Sequence, residues 1–130
     1  MAIPSNLRYT HDHEWARDEG DGSYTVGVTD FAQENLGAVV YVELLAVGTA
    51  VQAGGRFGTV ESTKSVSELY APVTGSLVAV NVALDGEPEL VNSDAFGNGW
   101  MVRIRADSAA QFAALMDADA YQVHVAAAGN

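Results

Sequence analysis

Cysteine is absent from this chain of 130 residues, and lysine is nearly so, its single copy being Lys64. Without cysteine there is no disulfide framework, no thiolate-held zinc or iron–sulfur cluster, and no thiol nucleophile. Basic residues of any kind are scarce, 6 against 17 acids, for a formal charge of −11. Phosphate and anionic-lipid surfaces are engaged by clustered Lys and Arg. The charge therefore argues against nucleic acid or an anionic membrane surface as partner and favours proteins with basic surfaces. Long apolar runs are also missing: a stretch such as residues 38–42 falls far short of the roughly 20 residues that span a bilayer. Residues 1–10 hold one basic residue, Arg8, and nothing resembling a signal or transit peptide, so a cytoplasmic location is expected.

What is present is apolar content of 48%, enough for one core, in a chain shorter than the roughly 150 residues typical of a domain. A single domain over residues 1–125 is expected, with residues 126–130 a frayed tail that nothing anchors. Short strands dominate. Tyr24, Val26 and Val28 alternate with Thr25, Gly27 and Thr29, the period-2 pattern of a half-buried strand. Residues 39–45 are apolar except at Glu43, which reads as a strand covered on both faces. Strands at 57–62, 66–71 and 77–82 follow, and Trp100, Val102 and Ile104 alternate with Met101, Arg103 and Arg105, placing the aromatic face inward. Helices are expected in two places: after Thr29-Asp30 with Gln33 behind it, stopping at Gly37, and near the end, where Ser108 and Gln111 form a capping pair and residues 117–125 add a second short helix. Trp15, Trp100, Tyr41 and Phe57 read as core.

The chemistry-bearing candidates are few. Lys64 sits between two expected strands, flanked by Ser62, Thr63 and Ser65, in a segment long enough for a tight turn. A lysine at a hairpin tip is presented away from the core, where an enzyme can reach its ε-amine; by itself the segment is equally an exposed loop. His11, His13 and Glu14 lack a third ligand at diagnostic metal spacing, so no metal site is expected. His124 reads as a partly exposed packing residue, and no serine or threonine has a plausible base beside it.

The run Glu61-Ser62-Thr63-Lys64-Ser65-Val66-Ser67-Glu68-Leu69-Tyr70-Ala71-Pro72-Val73-Thr74-Gly75 resembles the lipoyl-attachment hairpin of the glycine cleavage system H-protein family. The resemblance extends through Tyr9-Thr10, His13-Glu14-Trp15, Val26-Gly27-Val28-Thr29-Asp30-Phe31-Ala32-Gln33, Leu36-Gly37, Val40-Tyr41-Val42-Glu43-Leu44 and Phe57-Gly58-Thr59-Val60. It continues through Pro88-Glu89-Leu90-Val91-Asn92, Gly99-Trp100 and Ala120-Tyr121, covering nearly the whole chain in order.

This resemblance implies a mostly β fold, a lipoyl-domain-like barrel-sandwich hybrid of two small antiparallel sheets with a short helix in the N-terminal half and helices at the C-terminus. It implies lipoate in amide linkage on Lys64, and a carrier rather than an enzyme, with the redox chemistry belonging to the cofactor. The implied partners are a pyridoxal-phosphate glycine decarboxylase, an aminomethyltransferase, dihydrolipoyl dehydrogenase and the enzymes that attach lipoate. The family folds its aminomethyl-loaded arm into a cleft. The matching acids are Glu14 and Glu68, the latter where the family more often has Asp, with Asp12 beside them. A biotin carrier is disfavoured because that hairpin normally has Met on both sides of the lysine. Two alternatives remain: a related lipoyl carrier serving lipoate relay or another modification system, and an unmodified acidic β adaptor for which Lys64→Arg is harmless.

Overall fold

The computed structural model describes residues 3–128. Its strands are β1 (Arg8–Tyr9), β2 (Glu14–Asp18), β3 (Ser23–Val28), β4 (Val39–Leu44), β5 (Ala50–Val51), β6 (Arg56–Ser62), β7 (Val66–Tyr70), β8 (Gly75–Val80) and β9 (Val102–Ala106). The helices are α1 (Asp30–Leu36), α2 (Ala83–Gly86), α3 (Leu90–Ser93), α4 (Ala110–Ala113) and α5 (Ala118–Ala128). Two antiparallel sheets result, one of six strands in the order β1-β2-β3-β9-β8-β5 and one of three in the order β4-β6-β7. Apolar residues from both sheets meet between them: Val26, Leu77, Val102 and Ile104 from the larger, Val42, Phe57, Val60 and Leu69 from the smaller. This is the two-sheet architecture that the family resemblance implies.

A second cluster of Leu7, Tyr9, Trp15 and Tyr121 joins the N-terminal strands to α5. Trp15 is wholly buried, and its indole N–H donates to the Ala95 carbonyl at 3.0 Å. No buried side-chain nitrogen or oxygen among the described residues lacks a hydrogen-bond partner.

Several expectations need correction. Residues 39–45 are not covered on both faces: Val40 and Tyr41 are 48% and 53% exposed. A register shift between Val39 and Tyr41 inserts Val40 as a bulge, and the smaller sheet turns its outer face to solvent. Tyr41 is therefore not core, and Trp100 is only half-buried, lying just before β9 while its neighbour Met101 is fully buried. The expected in-out alternation at 100–105 thus begins two residues too early, and holds from Val102 onward.

The short helices α2 and α3 escaped the sequence reading because four residues with one buried apolar side chain each, Leu84 and Val91, show no helical period. Ser108 accepts the Ala110 N–H, but Gln111 reaches away to accept the Thr74 N–H, so no reciprocal capping pair forms. The C-terminal helix runs through Ala128 rather than ending at 125, which puts residues 126–128 in its last turn. Gly129 and Asn130, the rest of the tail expected to fray, lie outside the described residues. Helix α1 matches its expected span, although Thr29 rather than Asp30 is the N-cap, accepting the Ala32 N–H at 3.2 Å. Gly37 ends it at φ 79°, a backbone that residues with a Cβ rarely adopt.

Candidate functional site

Lys64 lies in the turn joining β6 to β7 and is exposed. The turn is built by Ser62, whose buried hydroxyl accepts the N–H groups of Lys64 and Ser65, both at 3.1 Å, and donates to the Ser65 carbonyl. The Ser62 N–H bonds the Ser65 carbonyl at 2.8 Å, and the Thr63 N–H bonds the Ala38 carbonyl at 3.0 Å. One short hydroxyl thus satisfies the backbone that an Asn-Gly turn would otherwise arrange. The sequence reading weighed Ser62 only as a nucleophile and missed this role. The lysine stem passes over Gly37, where an added Cβ would come within 3.2 Å of Lys64 Cε. Among the described residues Lys64 forms no ion pair.

Beside the hairpin, between α1 and the β7 edge, a cleft of about 250 Å³ opens. Its walls are apolar where Val28, Leu36, Val60 and Leu69 face it, and acidic where Asp12, Glu14 and Glu68 do. The structure therefore brings both acids of the sequence reading to the cleft that Ser65, next to the lysine, also lines.

The two carboxylates differ. Glu68 is exposed on β7 and accepts the Tyr70 hydroxyl at 3.2 Å. Glu14 is only 2% exposed. It accepts the Thr10 hydroxyl at 2.7 Å and the Tyr70 N–H at 3.2 Å, with no cation paired to it. Burial pushes its carboxyl from 4.5 up to about 8, against the opposing pull of those hydrogen bonds. With the cleft empty, Glu14 is mostly neutral at pH 7. A cation arriving there would be met by a buried acid that has no other charged partner and gains one by ionising.

The remaining sequence candidates fall elsewhere. His11 and His124 pack ring to ring at 5.0 Å beside the cleft, with a His124 ring nitrogen 2.9 Å from the His11 carbonyl. Among the described residues no three His, Asp or Glu side chains are placed to hold a metal. No described helix is long and apolar enough to cross a membrane.

The site is thus an exposed amine on a hydroxyl-braced turn, beside a cleft that is apolar along its walls and holds a buried acid with no cation paired to it. A sequence profile described as Glycine cleavage H-protein matches residues 7–127. The glycine cleavage system H protein of Mycolicibacterium vanbaalenii is 54% identical over 127 residues, covering 95% of this chain and 97% of that one. That of Cronobacter sakazakii is 52% identical over 120 residues, covering 92% and 93%. The crystal structure of a glycine cleavage system H protein from Mycobacterium marinum superposes with a TM-score of 0.84 at 37% identity, over 98% of this chain and all of that one. The chain belongs to the glycine cleavage H-protein family.

Proposed function

We propose that this chain is the lipoyl carrier of a glycine cleavage system, with lipoate in amide linkage on Lys64 and the carried group sheltered in the cleft ending at Glu14. A single domain of one rigid hairpin and one cleft suffices for that task. The observation that supports it most directly is the exposed, unpaired ε-amine on a hydroxyl-braced turn beside a cleft whose buried acid lacks a counter-charge. Lipoate on Lys64 would supply a disulfide that opens on reductive aminomethylation with loss of CO₂ from glycine; the partners proposed are a pyridoxal-phosphate glycine decarboxylase for that step, an aminomethyltransferase that passes the one-carbon unit to tetrahydrofolate with release of ammonia, and dihydrolipoyl dehydrogenase, which would restore the disulfide.

The chain's own residues do the rest. Ser62 holds the turn so that Lys64 is presented to the attaching enzyme rather than folded back. Val28, Leu36, Val60 and Leu69 give an apolar tether a surface to lie on and exclude water from it. Glu14 releases its proton as the amine, cationic at neutral pH, arrives, and the pair then gains a charge-assisted hydrogen bond shielded from solvent. Glu68 adds a second, solvated carboxylate at the rim. Acylation also removes the one lysine charge, taking the formal total from −11 to −12. The carrier therefore meets every partner as an acid, and the cytoplasm is its proposed location.

Intact-mass measurement on protein made in a lipoate-competent host tests the attachment. We expect a mass gain of one lipoyl group, mapped to the peptide containing Lys64. An unmodified chain, under conditions that fully modify a control lipoyl domain, would refute it.

A further inference from the structure

Neither the attachment turn nor the acid pair gives a task to His13 or to α5. His13 is the one non-glycine residue among those described with a left-handed backbone, at φ 71°. Its N–H donates to the Thr10 carbonyl at 3.2 Å, and its carbonyl accepts the Thr29 N–H at 3.0 Å. This turn delivers the next residue, Glu14, into the cleft, and the His13 imidazole itself forms part of the wall. Left-handed backbone at a residue with a Cβ persists where its surroundings over-determine it, and such residues cluster at functional sites.

What over-determines His13 comes largely from α5. Its Nδ1 lies 2.9 Å from the Tyr121 hydroxyl. The same hydroxyl is 2.7 Å from Thr29 Oγ1, which accepts the Ala32 N–H as cap of α1. Tyr121 is fully buried and stacks on Tyr9 at 4.5 Å. Burial pushes its phenol up to about 12, so the hydroxyl keeps its proton.

One set of donors satisfies every atom: Ala32 N–H to Thr29 Oγ1, the Thr29 hydroxyl to the Tyr121 oxygen, and the Tyr121 hydroxyl to His13 Nδ1. In that chain His13 is an acceptor, so it is neutral with its proton on Nε2, a tautomer assigned from the network. Protonating His13 would reverse the chain and take from the Thr29 hydroxyl proton the acceptor it has in this set.

We propose that Tyr121 is a positioning residue of the carrier, holding His13 uncharged against the cleft wall so that the carried cationic amine is retained. This rests on the reading of the cleft as the shelter of the carried group. An imidazolium on that wall would repel the amine; a neutral ring does not. The ionisable groups facing His13 are Asp12 and His11 from its own turn and Tyr121 and His124 from α5, with uncharged Phe31 packing from α1 at 4.6 Å. Burial, His124 and His11 hold the imidazole below its ordinary range, and Asp12 alone of these pulls it upward. Tyr121 thereby ties α5 to two elements of the cleft, the turn before β2 and α1.

Tyr121→Phe keeps the ring stack and removes only the hydroxyl. In the lipoylated variant we expect full modification by mass, an aminomethyl group lost from the loaded arm about fivefold faster than in the wild type, and a His13 titration midpoint, read by NMR, that moves upward. His13→Asn is the companion variant, since Asn tolerates left-handed backbone and offers Oδ1 to the Tyr121 hydroxyl without a charge. It should lose the part of the pH dependence of release that follows the imidazole. Glu14→Gln separates the two layers: a loss rate equal to wild type there overturns the cleft reading and this inference with it. If Glu14→Gln loses the group quickly while Tyr121→Phe matches wild type with an unmoved His13 midpoint, the cleft reading stands and the role of Tyr121 is overturned. A pH profile of release from His13→Asn identical to that of the wild type also contradicts it.

Discussion

Lys64→Arg is expected to abolish lipoylation completely while leaving the fold intact. Arginine keeps the positive charge and a long stem over Gly37, and the turn depends on Ser62 rather than on the lysine side chain. Its guanidinium cannot be deprotonated at working pH and so is no nucleophile toward an activated acyl group. Because Lys64 is the only lysine, no second side-chain amine can substitute. Intact mass with and without lipoate supply measures the effect. Unchanged thermal unfolding alongside zero lipoyl gain is the expected pair of results. A variant that still supports glycine-dependent turnover would favour the unmodified adaptor, for which the lysine is irrelevant.

Glu14→Gln is expected to improve stability at high pH and to destroy retention of the carried group. In the folded protein the Glu14 carboxyl is raised from 4.5 to about 8. A raised carboxyl means that the folded state holds a proton the unfolded chain gives up. Its favourable share is therefore complete below pH 4.5 and is lost as pH rises through about 8. Each tenfold difference in proton affinity between the folded and unfolded states corresponds to about 1.4 kcal/mol, so at pH 8 the uncharged isostere should exceed wild type by on the order of 4 kcal/mol. The amide fits the site, with its oxygen accepting the Tyr70 N–H and its NH₂ directed at Thr10 Oγ1. The functional sign is opposite: without a carboxylate to pair with the amine, the loaded group should be lost roughly tenfold to a hundredfold faster, the worth of one charge-assisted hydrogen bond. Loss from wild type should itself quicken as pH falls and Glu14 takes up its proton. Denaturation at pH 5 and pH 8, with the lifetime of the loaded species by mass, tests both halves. A variant with wild-type retention contradicts the role of Glu14.

That opposition explains why an unpaired buried acid is tolerated. It is a stability cost at neutral and higher pH that is offset only when the cleft is filled. The same reasoning separates Glu14 from Glu68, which remains solvated and is expected to matter less.

The mostly β character was legible in the sequence because period-2 alternation is a local signal, whereas the two-sheet fold class and the reading of the Lys64 hairpin as an attachment site came through the family resemblance. The strand at 23–28 begins one residue ahead of the expected 24–29 and is buried on both faces rather than one, while the helix at 30–36 stops where expected, since Thr29 and Gly37 bracket it with a cap and a stop. Tyr41 misled because an apolar run carries no mark of the bulge that turns two consecutive residues outward. Trp100 misled because alternation does not say where a strand begins.

In the site, Glu14 and Glu68 were reachable through the family resemblance, but nothing local distinguishes a carboxyl that is 2% exposed from its neighbour Asp12 at the surface. The links from Tyr121 to His13 and Thr29 span 108 and 92 residues and depend on how α5 packs. Spacing along the chain gives no hint of them. Ser62 was readable in principle: a serine two and three residues before the N–H groups it accepts is a known turn-forming pattern.

The central claim is that this chain carries a one-carbon unit derived from glycine on Lys64. The most direct measurement incubates the lipoylated protein with glycine and a pyridoxal-phosphate glycine decarboxylase and then records its intact mass and that of the Lys64 peptide. The expected result is a glycine-dependent gain of one aminomethyl group on the peptide bearing the arm. A fully lipoylated chain that gains nothing, while the Mycolicibacterium vanbaalenii relative is loaded under the same conditions, would contradict that claim and point instead to lipoate relay.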